Sequence, residues 1–158
     1  MKKLVSILIL IGVPYLGHSQ NESPRDLKAY FTAIIVSDIN TSINWYTSIL
    51  GFTVLDKVES TERGFKQSNL KRASIHLELI ELDAAVNPAA SIPNYNSKTR
   101  LIGFFKTGFL VSDFDNWLNH LTMKNVNFQG SVVTDDTTEK RMVIIKDPDN
   151  NRIQIFEE

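Results

Sequence analysis

Two short stretches carry the side chains best suited to chemistry. In Ile75-His76-Leu77-Glu78-Leu79, polar and apolar residues alternate, and residues two apart on a strand point to one face. His76 and Glu78 therefore share a face, and an imidazole with a carboxylate is a donor set that holds divalent metals. In Asn151-Arg152-Ile153-Gln154-Ile155 the same alternation sets Arg152 beside Gln154. A guanidinium and an amide on one face can contact an anionic or carbonyl-bearing ligand. A histidine such as His76 serves equally well as a hydrogen-bonded structural group, so both readings stand at this point.

Other polar residues have plainer roles. Asp38 and Asp113 each follow a Val-Ser pair at a strand-to-helix boundary, where a carboxylate caps the first turn of a helix. Asp147 and Asp149 belong to the turn Asp147-Pro148-Asp149-Asn150-Asn151, and a calcium loop would need more carboxylates. Trp45, Tyr46 and Trp117 fall on helical stripes, where packing is the default explanation. His120 reads as a helix-surface residue, and His18 lies in the N-terminal leader. No Ser-His-Asp set, phosphate-cradling loop or dinucleotide glycine pattern occurs. With no cysteine there is no disulfide, thiol catalysis or iron–sulfur chemistry.

The elements that must position these residues repeat. Tyr30 to Val36 reads as a strand, and Ile39, Ile43, Tyr46, Ile49 and Leu50 recur at helical spacing up to Gly51. Strands follow at Phe52 to Val58, Gly64 to Leu70 and Ala73 to Leu82. The same order restarts with a strand over Leu101 to Val111, then a helical stripe of Phe114, Trp117, Leu118, Leu121 and Met123. Val126 to Phe128 is extended, and Arg141 to Lys146 and Arg152 to Phe156 are strands. Val36-Ser37-Asp38-Ile39 matches Val111-Ser112-Asp113-Phe114 at an offset of 75 residues, the mark of an internal repeat. The expected fold is α+β: two βαβββ modules, residues 30–82 and 100–158, joined by a linker over 83–99.

The bulk properties suit one domain. The chain has 158 residues, 42% hydrophobic and 22% charged, enough for one core and too few for two ordinary ones. A formal net charge of −1 gives no basic footprint for nucleic acid. Lys2 and Lys3, the apolar run Leu4 to Val13 and the small or polar Gly17, His18 and Ser19 have the order of a secretory signal peptide. Residues 1–20 are therefore expected to be a signal peptide, cut after Ser19, and 21–29 a flexible lead-in. The other reading of this leader is an uncleaved anchor, for which the apolar run is short. Removing the leader deletes Lys2 and Lys3 and no acid, taking the charge from −1 to −3. A periplasmic or secreted protein is expected, off the membrane after cleavage and without lipidation, since no cysteine is present to carry a lipid.

"IIVSDINTSINWYTSILGFTVL" resembles the opening of a vicinal oxygen chelate module, and "IKDPDNNRIQIFEE" resembles that family's closing hairpin, with Asn150 where glycine is common. Glyoxalase I, bleomycin-binding proteins and extradiol dioxygenases share this fold. The resemblance frames residues 30–157 and implies that the two modules curl a mixed sheet into a cup, often within a homodimer.

The resemblance also implies four metal-ligand positions, one on the first and one on the last strand of each module. Carried onto this sequence they are Phe31, Glu78, Lys106 and Gln154. Phenylalanine cannot ligate, and a protonated lysine has no free lone pair. The leading expectation is a cup that binds a small molecule through His76, Glu78, Lys106, Arg152, Gln154 and Phe31, with no metal cofactor and with Lys106 paired to Glu78. The rival is a lyase- or dioxygenase-like enzyme whose divalent metal is held by His76, Glu78 and Gln154. A third reading is an interaction domain whose cup is filled by linker 83–99. Export argues against a glyoxalase I role, because the thiol-conjugate substrate of that enzyme is made inside the cell.

Overall fold

A computed structural model describes residues 29–96 and 98–158; the expected signal peptide and all but the last residue of the lead-in lie outside them. Strand β1 (Thr32–Ile35) leads to helix α1 (Ile39–Ser48), then strands β2 (Thr53–Ser60), β3 (Phe65–Arg72) and β4 (Ile75–Leu82). After a short helix α2 (Pro88–Ser91) come β5 (Thr107–Val111), α3 (Phe114–Met123), β6 (Asn127–Phe128), β7 (Val133–Thr134), β8 (Arg141–Lys146) and β9 (Arg152–Glu157). The chain is α+β, and each half builds one mixed sheet. The strand orders are β1-β4-β3-β2 and β5-β9-β8-β6, with β7 added to β8. In both sheets the first strand runs parallel to the last, and the other pairs are antiparallel.

The helices start where the repeated Asp places them. The Asp38 carboxylate accepts from Thr41 N at 2.6 Å, and that of Asp113 from Asn116 N at 3.1 Å, each satisfying a first-turn donor with no intrahelical partner. Glu81, reaching from β4, accepts from Ile39 N at 2.7 Å and pins α1 to its own sheet. Ile39, Ser42, Ile43 and Tyr46 form the buried stripe of α1. Gly51, at φ +66°, ends it in a left-handed conformation that costs glycine nothing. Asn150 stands in the β8–β9 turn at φ 65°, a conformation that asparagine tolerates better than most residues.

Alternation divides each sheet into two faces. Leu77, Leu79 and Leu70 of the first sheet are buried, as are Val143, Ile145, Ile153 and Ile155 of the second, and all belong to one hydrophobic cluster. The helix-bearing inner faces of the two sheets therefore pack on one another. Phe52 and Phe109 meet with ring centroids 6.3 Å apart. A small apolar void lies between Thr32, Ile34, Tyr46, Ile75, His76 and Leu77 on one side and Thr107, Phe109 and Ile153 on the other.

Polar contacts tie the halves together. Tyr46 Oη donates to Asp147 Oδ2 at 2.9 Å, and Ser37 N donates to Asp149 Oδ2 at 3.1 Å. His120 is not the surface residue the sequence suggested: its Nε2 lies 2.9 Å from the Ile49 carbonyl oxygen at the end of α1. Beside it, the Arg72 guanidinium sits 4.8 Å over the Trp117 ring. The strand expected over Leu101 to Val111 is only Thr107–Val111. The apolar residues before it are exposed, because no neighbouring strand runs alongside them to complete a ladder.

Arg141 fastens the second sheet to α3, bonding Asp115 at 2.7 Å and Glu157 at 2.8 Å. The Arg141 guanidinium holds the Glu157 carboxyl down at about 2 and also lowers that of Asp115. A depressed carboxylate contributes stability that is complete above its unfolded value, about 4.3 for Glu, and is lost as pH falls toward 2. Arg141→Ala should return Glu157 to the ordinary range and remove this part of the acid-side slope. A carboxyl ¹³C NMR titration checks it; a Glu157 midpoint unchanged in the variant would contradict the assignment.

Candidate functional site

Sheet register fixes which candidate residues can meet. On β4, His76, Glu78 and Ile80 point away from the core, as the alternation required. They are flanked by Ala33 and Ile35 of β1 and by Lys71, Asn69 and Gln67 of β3. Asp56 and Val58 of β2 continue this outer face. Glu78 is half-buried and accepts a hydrogen bond from Gln67 Nε2. Phe31, just before β1, is exposed and packs edge-on against Tyr30, which also lies over the His76 ring at 5.7 Å. Asn69 Nδ2 donates to Asp56 Oδ1 at 2.8 Å. The result is an outer face that is part aromatic and part acidic.

The second sheet presents a different outer face. Gln154 sits between Gly108 of β5 and Ile144 of β8, and Arg152 lies beside Lys146 of β8. Lys106, immediately before β5, is exposed, and the register continues it to the other side of Arg152. Arg152 Nε donates to Gln129 Oε1 at 2.9 Å, and its guanidinium stacks 4.7 Å over the Phe105 ring. Gln154 is only 2% exposed. Its Nε2 touches the Met142 sulfur, and its Oε1 has no partner among the described residues. No strand residue on this face is acidic.

The structure thus gathers His76, Glu78 and Phe31 on one outer face, and Lys106, Arg152 and Gln154 on another. It does not bring the two sets together within the chain. The expected Lys106–Glu78 pair is not formed: Glu78 is engaged by Gln67, and burial of the inner faces turns the outer faces apart. For the same reason His76, Glu78 and Gln154 do not converge on one point within one chain. Among the described residues there is no group of three His, Cys, Asp or Glu side chains placed to hold a metal. None of the described residues of linker 83–99 is buried in the single chain.

Lys146 is the site residue that sequence reasoning missed. The signal was present in the hairpin: a turn over 147–151 sets the last residue of β8 opposite the first of β9, which is Arg152.

Two mixed sheets, a βαβββ first half and a second half of the same order with the short β7 added, each with one long helix on its inner face, define the class of protein. The family model of the Glyoxalase/Bleomycin resistance protein/Dioxygenase superfamily matches residues 29–155, and the chain belongs to that superfamily. It is 28% identical over 131 residues to YaeR, an uncharacterised protein of Escherichia coli (strain K12), covering 83% of this chain and 96% of that one. A glyoxalase family protein from Enterococcus faecalis shares the fold, with TM-score 0.71 at 24% identity over 82% of this chain and 97% of that one. So does the trypanothione-dependent glyoxalase I of Leishmania major, with TM-score 0.61 at 21% identity over 84% and 87%.

Proposed function

We propose that this chain binds a small molecule in a cup that two copies assemble, without a family-type catalytic metal. The observation that carries this reading is the outward aim of the two candidate faces. Phe31, His76 and Glu78 on one, and Lys106, Arg152 and Gln154 on the other, line a common cup only when the first sheet of one copy meets the second sheet of another. Both faces expose apolar surface in the single chain, with Phe31 at 54%, Ile35 at 56% and Leu110 at 69%. Contiguous surface of that kind marks contact or ligand sites. Their charges are complementary too: Glu78 and Asp56 outnumber Lys71 on the first face, and the second carries only cations.

The donor chemistry does not fit the family metal. Two of the four resemblance positions are Phe31 and Lys106, and an ammonium repels a divalent ion at that place. Catalysis by a metal-dependent lyase or dioxygenase-like route stays the rival, resting on His76, Glu78 and Gln154. The two readings separate in a thermal-shift screen of small organic compounds. Binding in the cup predicts that at least one compound stabilises the protein and that Lys106→Ala abolishes the shift; a shift unchanged in Lys106→Ala would sink it.

Export belongs to the same proposal and rests on the leader alone. Lys2, Lys3 and the run Leu4 to Val13 supply it. N-terminal sequencing of the protein from its native host should begin at Gln20; a chain that retains Met1 or Lys2 would contradict it.

A further inference from the structure

Resting on that reading, we infer that the ligand is an amphipathic organic carboxylate carrying an N–H or O–H donor next to its anionic head. The inference comes from how the outer face of the second sheet is ordered. Across the strands lies a row of three cations, Lys106, Arg152 and Lys146. The next row is Gly108, Gln154 and Ile144, and the third is Leu110, Phe156 and Met142. Along the strands the face therefore passes from cationic, through one buried amide, to apolar.

Each row asks for a different part of a ligand. Arg141, on the inner face, has two carboxylate partners, whereas among the described residues of one chain no carboxylate meets Lys106, Arg152 or Lys146. The facing sheet of a second copy sets only one net negative charge (Glu78 and Asp56 less Lys71) against these three cations. A row of like charges repels itself, and one shared anion relieves all three. Arg152 is pre-oriented, its Nε held by Gln129 and its plane stacked on Phe105. The remaining edge of the fork is left to a carboxylate.

The middle row names the donor. Gln154 Oε1 is buried and has no partner among the described residues, and a buried acceptor is costly to leave unsatisfied. The amide end is set this way round because thioether sulfur can accept weakly from Nε2 but has no proton to donate to Oε1. A ligand N–H or O–H beside the carboxylate would satisfy the carbonyl oxygen. Gly108, on the neighbouring strand, brings no side chain to this row, and the Phe156 ring lies in van der Waals contact over it, 3.5 Å from where a Cβ would stand. Met142, unbranched and flexible, lies against the Nε2 end of the amide and can shift as a ligand enters. The apolar tail then lies over Leu110, Phe156 and Met142.

Isothermal titration with three probes tests the assignment: N-octanoylglycine, octanoate and octylamine. N-octanoylglycine should bind about fivefold or more tighter than octanoate, the worth of one added hydrogen bond, and octylamine should not bind. Lys146→Ala should weaken both carboxylates about tenfold, with Lys146→Arg restoring most of the loss. Gln154→Leu should erase only the preference for N-octanoylglycine. Octylamine binding like octanoate, equal affinities of the two carboxylates, or no effect of Lys146→Ala would each overturn the inference. If none of the probes binds while another compound stabilises the protein through Lys106, the ligand class is wrong and the cup reading stands. If no compound does so, the cup reading falls with it.

Discussion

Asp147→Ala should destabilise the protein by about 2–4 kcal/mol, the largest effect expected of any polar substitution in it. Asp147 is 5% exposed and is the knot between the halves. It accepts from Tyr46 Oη at 2.9 Å, from Asp149 N at 3.0 Å, and from Asn151 N and Nδ2 at 2.8 and 2.9 Å. The turn is partly open, so water can reach some of these donors after truncation. The Tyr46 hydroxyl, on a side chain only 1% exposed, has no such recourse. Burial, then the Asp147 charge, pushes the Tyr46 phenol far above its ordinary range, so it stays a donor. Tyr46→Phe should cost less, about 1–2 kcal/mol, and a double-mutant cycle with urea unfolding isolates the pair. Additive losses would show that the two residues act independently.

The same carboxylate gives a pH signature. Burial raises the Asp147 pKa, against hydrogen bonds from Asn151 and Tyr46 that lower it. A raised folded value contributes stability that is complete below the unfolded value, about 3.9. That contribution is lost as pH rises through the folded value. Its sign is opposite to that of Glu157: stability from Glu157 is lost as pH falls below about 4.3, and that from Asp147 as pH rises above about 3.9.

Arg152→Ala should weaken ligand binding about 10–100-fold, with Arg152→Lys recovering only part of it. A hydrogen bond to a charged partner contributes about 1.5–3 kcal/mol, which spans that range. Arg152 differs from its neighbours in being held from two sides, by Gln129 and Phe105. Lysine keeps the charge but has neither the planar fork nor the stacking surface. Calorimetric titration reads the affinity, and a full recovery by Lys would show that only charge matters at this position.

The fold was legible because its signals are local. The Val-Ser-Asp repeat marks two helix caps that both form, and alternation in 75–82 and 152–157 gives the correct faces. The strand expected from Leu101 was too long, because β propensity in Leu101 to Phe105 has no partner strand to satisfy. The face shared by His76 and Glu78, and that shared by Arg152 and Gln154, followed from the two-residue period alone. Whether these faces meet depends on how the halves pack, and no residue pattern within either half encodes that. The contacts deciding it, such as Tyr46–Asp147 and Ser37–Asp149, lie 101 and 112 residues apart. The sequence therefore left open whether the cup is built within one chain or between two copies.

The most direct test is ligand-induced stabilisation measured on metal-free protein, stripped with EDTA and then reloaded in turn with Zn²⁺, Mn²⁺, Ni²⁺ and Fe²⁺. The account predicts that an anionic ligand raises the unfolding temperature equally with and without metal, and that Lys106→Ala removes the shift. Stabilisation that appears only after reloading, and disappears in Glu78→Ala, would contradict it and establish the metal-dependent reading.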